Sequence, residues 1–196
     1  MIKPINSIGK VSHIRNIQNN NSNKRIPSLN YGQNGGVSFT ANPGISRFVQ
    51  VDTILYRGAR PNLEQLFALR DMGIAKIIDF SVEPSKIAGF KESDAAKNLG
   101  MEYFQIPFVS WETPTEADIK KFFEITEDAR KNNKKVFIHC LEGRDRTGLF
   151  TELYKIKYGM SNAQNSINTL IKGRYNFSDN PCAVSFIKDF EKSVSG

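Results

Sequence analysis

The spacing of apolar positions divides the chain into an irregular front and a regularly patterned body. From residue 46 onward, short runs of β-branched and aliphatic residues alternate with stretches of helical period. Ile54-Leu55-Tyr56 predicts a first strand, and Pro61 opens a helix carried by Leu63, Leu66, Phe67 and Leu69 and closed by Gly73. Residues 74–80 are nearly all apolar, the pattern of a strand buried on both faces. A short helix over 93–99, closed by Gly100, and a third strand over 103–108 follow. Thr113-Pro114-Thr115-Glu116 reads as a helix start, with Thr113 as cap, Pro114 first and Glu116 third. That helix carries Ile119, Phe122, Phe123 and Ile125, and residues 136–139 form the next strand. Thereafter the chain is helical. Leu149, Leu153 and Ile156 recur at i, i+4 and i+7; a second helix runs from Ser161 to Gly173; Asn180-Pro181 starts the last. Such βα alternation predicts an α/β fold. Its central, mostly parallel sheet of about four to five strands is flanked by helices and ends in a C-terminal helical cluster.

Residues 1–45 have no such order. They are rich in Asn, Ser and Gly, including Asn19-Asn20-Asn21-Ser22-Asn23, and are expected to form a flexible basic extension to a domain over 46–196. Ile2, Ile5, Ile8, Val11, Ile14 and Ile17 recur every three residues. On an α-helix that spacing drifts by about 60° per step, so the six cannot share one face. A short segment docking a partner is the functional reading of this periodicity, and a leader without fixed structure is the plain one.

Charge follows the same division. The net +7 of the 196 residues lies mostly in Lys3, Lys10, Arg15, Lys24, Arg25 and Arg47, in a stretch without a single acid. The body is close to neutral, which removes the bulk electrostatic case for nucleic acid. No apolar run approaches a membrane span, and no secretory leader is evident. The two cysteines, Cys140 and Cys182, form no disulfide framework, and with two histidines they lack metal-ligand spacing. No metal or cofactor is expected.

The candidate chemistry sits in His139-Cys140-Leu141-Glu142-Gly143-Arg144-Asp145-Arg146-Thr147-Gly148, where a strand feeds a tight loop that opens into a helix. Such a junction aims backbone N–H groups and the positive end of the helix dipole at one spot, which suits a dianion. A free thiol titrates near ~8.5; beside arginine at a helix N-terminus it can fall to roughly 3.5–7.5. Arg146 can grip two phosphate oxygens with its planar fork, and Thr147 can donate to the sulfur. Gly143 and Gly148 let the backbone curl.

His-Cys, five residues, then Arg-Thr-Gly resembles the signature of the cysteine-dependent protein tyrosine and dual-specificity phosphatases, over residues 50–192. Tyr56-Arg57-Gly58-Ala59-Arg60-Pro61 is similar to a first-strand motif of compact bacterial and fungal members. The resemblance implies a phosphotyrosine-phosphatase-like fold. It makes Cys140 the nucleophile of a phosphocysteine intermediate and Arg146 the phosphate ligand. The substrate implied is a phosphotyrosine protein, with a phosphoinositide or inositol phosphate as alternative. A catalytically silent phosphate-binding module is the reading from a different class.

Most family members carry an aspartate acid on a movable loop, but Phe108-Val109-Ser110-Trp111-Glu112-Thr113 holds none. Asp145, inside the signature, resembles the acid of a subset of bacterial members. Glu112 is the other candidate and Asp118 a third. Leu141, Glu142, Gly143, Arg144, Thr147 and Trp111 are expected around the substrate. His139, Gly148 and Arg57 support the loop, Arg60 braces it or reaches the substrate, and Asp79 accepts a structural hydrogen bond. A reactive thiol points to a reducing, cytoplasmic setting, with export by a non-standard signal as alternative. A monomer is expected.

Overall fold

The computed structural model describes residues 42–82, 86–87, 90–109, 112–173 and 181–195. The chain divides into two units, and all of these residues belong to the second, Phe39–Gly196. The expected front extension therefore lies almost wholly outside the described residues, and so does Trp111.

In chain order the elements are β1 (Val49–Gln50), β2 (Leu55–Ala59), α1 (Leu63–Asp71), β3 (Ile74–Asp79), β4 (Lys86–Ile87), β5 (Phe90–Lys91) and α2 (Glu92–Asn98). They continue with β6 (Glu102–Gln105), α3 (Glu116–Lys131), β7 (Lys135–Cys140), α4 (Asp145–Lys157), α5 (Ala163–Lys172) and α6 (Pro181–Ser195). Five strands make the main sheet, in the order β1-β2-β7-β3-β6. β2, β7, β3 and β6 are mutually parallel and β1 runs antiparallel to β2. The α/β architecture and its mostly parallel sheet are as expected. The two-residue β1 and the β4–β5 hairpin were not anticipated, because two-residue strands carry no period to read.

Alternation along the strands fills two cores. Leu55, Ile78, Val136 and Ile138 pack on one face with Phe122 of α3 and Phe150, Leu153 and Tyr154 of α4. Tyr56, Ile77 and Phe137 pack on the other with Leu66 and Leu69 of α1 and Ala96 of α2. α4 is more enclosed than its predicted stripe implied. Every residue from 147 to 154 is buried, because α5 and α6 close over the side that the sheet leaves open.

The start of α3 differs from the expectation. Thr115, not Thr113, is the cap; its hydroxyl accepts from Asp118 N at 3.2 Å, and the Asp118 carboxylate accepts from Thr115 N at 3.0 Å. A reciprocal box closed by Asp118 outcompetes the alternative with Glu116 because both of its partners find each other. β6 also ends earlier than anticipated, at Gln105, since its strand partner β3 ends at Asp79.

Candidate active site

β7 is the middle strand of the sheet, and Cys140 is its last residue. Four residues later α4 begins at Asp145. The chain thus turns at the carboxyl end of a central parallel strand, where open α/β sheets place their ligands. Packing against β2 sets the turn. Gly143 has φ +67°, and a Cβ there would lie 2.3 Å from the backbone carbon and oxygen of Gly58. Only glycine allows this approach. Three successive loop carbonyls are tied outward. Arg60 N donates to Leu141 O at 3.2 Å, Arg47 Nη1 to Glu142 O at 3.0 Å, and Arg57 to Gly143 O. The Arg57 side chain is buried and braces the loop from β2 instead of making a surface ion pair.

Cys140 is a free, buried cysteine. Burial pushes its thiol up, but the Thr147 hydroxyl and backbone N–H, the Arg146 charge and the Gly143 backbone N–H together hold it below the ordinary thiol value. Apart from the sulfur, the fully buried Thr147 hydroxyl has no partner among the described residues. Arg146 is fixed from behind: Nη1 donates to Phe80 O at 3.2 Å and to Phe108 O at 3.4 Å. Its Nε is buried with no acceptor among the described residues, a donor suited to an incoming oxyanion. Gly148 continues α4 by donating to Arg144 O at 2.8 Å.

The rim carries the remaining loop residues. Leu141 and Glu142 are exposed. Arg144 places Nη2 3.4 Å from Asp145 Oδ2 and Nη1 3.6 Å from Glu142 Oε2. Asp145 is buried in the first turn of α4, whereas Glu112 is exposed, and its N–H donates to Val109 O. Asp118 is occupied in the α3 cap.

Behind the loop lies a buried polar group that sequence reasoning largely missed. His139 is fully buried, with Nε2 2.8 Å from Glu92 Oε1 and Nδ1 3.3 Å from Cys140 O. Asp79 Oδ1 lies 3.7 Å from Nδ1 and accepts from Ser81 N, and Oδ2 accepts from the Tyr103 hydroxyl at 2.9 Å. Burial pulls the imidazole down, but Glu92 and then Asp79 outweigh it and push it up to about 9. In the sequence Glu92 looks like any acid at a helix start; no periodicity marks it as buried.

The described helices include none long and apolar enough to cross a membrane. Over 100 residues the chain is 24% identical to phosphatidylglycerophosphatase and protein-tyrosine phosphatase 1 of Rattus norvegicus, covering 50% of this chain and 52% of the relative. It thus spans about half the length of the curated relative it matches. Among solved structures it is similar to a DUF442 protein of Shewanella putrefaciens CN-32, with TM-score 0.63 and 26% identity over 77% of this chain and 95% of that one. TpbA of P. aeruginosa, solved in complex with pTyr, shares the fold at TM-score 0.60 and 17% identity, over 80% of this chain and 94% of that one. Residues 55–193 match the family model described as dual specificity phosphatase, catalytic domain. From the middle strand through its loop to the buried helix behind it, the chain belongs to the dual specificity phosphatase catalytic domain family.

Proposed function

We propose that the chain hydrolyses phosphate monoesters through a phosphocysteine intermediate, with phosphotyrosine protein as substrate. The observation that carries this reading is a thiol held below its ordinary pKa beside a guanidinium braced by two main-chain carbonyls. Cys140 Sγ attacks phosphorus in line, the bond to the ester oxygen breaks, and a carboxylic acid protonates the departing oxygen. Water then attacks the phosphorus of the thiophosphate, giving its proton to the same group, now a carboxylate, while the P–S bond breaks to return the Cys140 thiolate and release inorganic phosphate. Asp145 is the proposed acid, supported by its place in the loop, and Glu112 is the competing choice. Arg146 and the loop amides hold the three phosphoryl oxygens throughout.

Relatives favour the same chemistry. TpbA has been solved with pTyr, and the rat relative is named for both a lipid phosphate and phosphotyrosine. The inositol-phosphate alternative needs a second cationic site. Arg144 is the candidate, but it faces two carboxylates of its own loop, which weakens its claim on another phosphate. A reactive thiol suits a reducing, cytoplasmic setting.

A phosphate-release panel of phosphotyrosine peptides, phosphoserine peptides, phosphoinositides and inositol phosphates tests the reading beside Cys140→Ser. Release from phosphotyrosine peptides, abolished in the variant, is expected. A chain that binds phosphopeptide but releases no more phosphate than Cys140→Ser would instead be a silent binding module.

A further inference from the structure

Residues 45–48, just ahead of β1, bend into a turn that touches the catalytic loop. Ile45 O accepts from Phe48 N at 3.3 Å across the turn, with Ser46 and Arg47 at its corner. Arg47 has φ +55°, in the left-handed region that L side chains rarely adopt and glycine adopts freely. The surroundings hold the turn there from three sides. Ser46 O accepts from Ala59 N at 2.8 Å, and Gly44 O accepts from Gln65 Nε2 of α1 at 2.7 Å. Ile45 is buried, its Cγ2 lying 2.7 Å from where a Cβ on Gly58 would stand. From that corner the exposed Arg47 side chain sends Nη1 to Glu142 O at 3.0 Å. A strained backbone thus serves to aim one side chain at one loop carbonyl.

A trans peptide group is planar, so its C=O and the following N–H point in opposite directions. Drawing the Glu142 carbonyl outward therefore turns the Gly143 N–H inward, and that N–H is one of the donors that lower the Cys140 thiol. A guanidinium on the carbonyl also polarises the amide and strengthens its N–H as a donor. The other groups facing the sulfur are Thr147 and Arg146 of α4 and Arg144 at its N-cap, the last paired with Glu142 and Asp145. From β2, Arg57 holds the next carbonyl, Gly143 O. We propose that Arg47 is a positioning residue: from its left-handed turn it fixes the Glu142–Gly143 peptide so that the Gly143 amide faces the reacting sulfur. This deepens the phosphatase reading and rests on it. Arg47 touches neither sulfur nor phosphate in this scheme; it acts through the peptide.

Two variants and two readouts test this without turnover. Arg47→Gly removes the guanidinium and eases the backbone, whereas Arg47→Met removes it and keeps the apolar stem. Both are expected to melt close to wild type, since the side chain is exposed. In 15N-labelled wild type, the Gly143 amide resonance is expected to shift as Cys140 ionises, and in both variants to shift by roughly half as much or less. Alkylation of Cys140 by iodoacetamide is expected to slow roughly three- to tenfold below the midpoint of its pH profile, with the high-pH plateau unchanged. An alkylation profile that superimposes on wild type in either variant overturns the proposal. So does a slowed profile in which Gly143 keeps its wild-type titration, because loss of a nearby charge would then account for the slowing. A shift confined to a variant whose melting temperature has dropped overturns it as well. Absence of phosphate release above Cys140→Ser, with both expected shifts present, would overturn the phosphatase reading and leave the positioning role standing.

Discussion

At the scale of single residues, the proposed chemistry asks of each signature side chain one job that few other residue types can do. Cys140 and Arg146 were picked out from identity and spacing alone, and the structure brings the Arg146 charge to the thiol. Gly143 was readable as a glycine but not for its actual constraint, which is the backbone of Gly58 lying where its Cβ would go. Gly143→Ala combines a positive φ with a backbone clash, and is expected to cost about 2–4 kcal/mol in urea denaturation while abolishing rapid alkylation of Cys140. Glu92 was not legible, because a first-turn acid is ordinarily solvated, and burial depends on which helix the strand order brings behind the loop. The acid is decided at this scale too. An acid must be protonated to act, so its removal erases the fall of kcat/KM on the basic side of the pH profile. Asp145→Asn is expected to lose that limb and Glu112→Gln to keep it; the reverse pattern would reassign the role to Glu112.

Among the elements, long periodic stretches were legible and short or local ones were not. The run over 74–80 and the Phe122/Phe123 pattern of α3 are found where their periods put them, since burial on a sheet imposes those periods. The cap of α3 was misplaced by two residues, because two plausible starts overlap and only geometry reveals which partners reciprocate. Thr115→Ala is expected to cost about 1 kcal/mol by thermal or urea unfolding with no change in phosphate release. For α4 the period of three leucine-like positions understated the helix, which is buried almost all round. Phe150 is fully buried and stacks on Phe80 with ring centroids 4.4 Å apart. Phe150→Ala is expected to cost about 3–5 kcal/mol, and to lower activity as well, because Phe80 supplies one of the two carbonyls that hold Arg146.

For the whole molecule, the sheet order brings residues distant in sequence together at one strand end. Arg47, Arg57, Arg60, Asp79 and Glu92 all meet the loop or the histidine behind it, and Tyr103 holds Asp79. Fold class was legible because βα alternation leaves few topologies, but the strand order that gathers these residues was not. A consequence for stability follows from His139. Its pKa rises from 6.5 to about 9 on folding, so the stability it contributes is fully present below about 6.5 and is lost as pH climbs through 9. Cys140, whose pKa is lowered, opposes this by adding stability as pH rises. In a Cys140→Ser background the thiol no longer contributes, and the melting temperature is expected to fall between pH 6.5 and 9; adding Glu92→Gln is expected to flatten that fall. The most direct test of the catalytic scheme is a single acid-quench measurement during turnover of a phosphotyrosine peptide, read by mass spectrometry. Phosphate on the peptide that carries Cys140 is required, disappearing in Cys140→Ser together with turnover. Phosphate carried by another residue, or turnover undiminished in that variant, would contradict it.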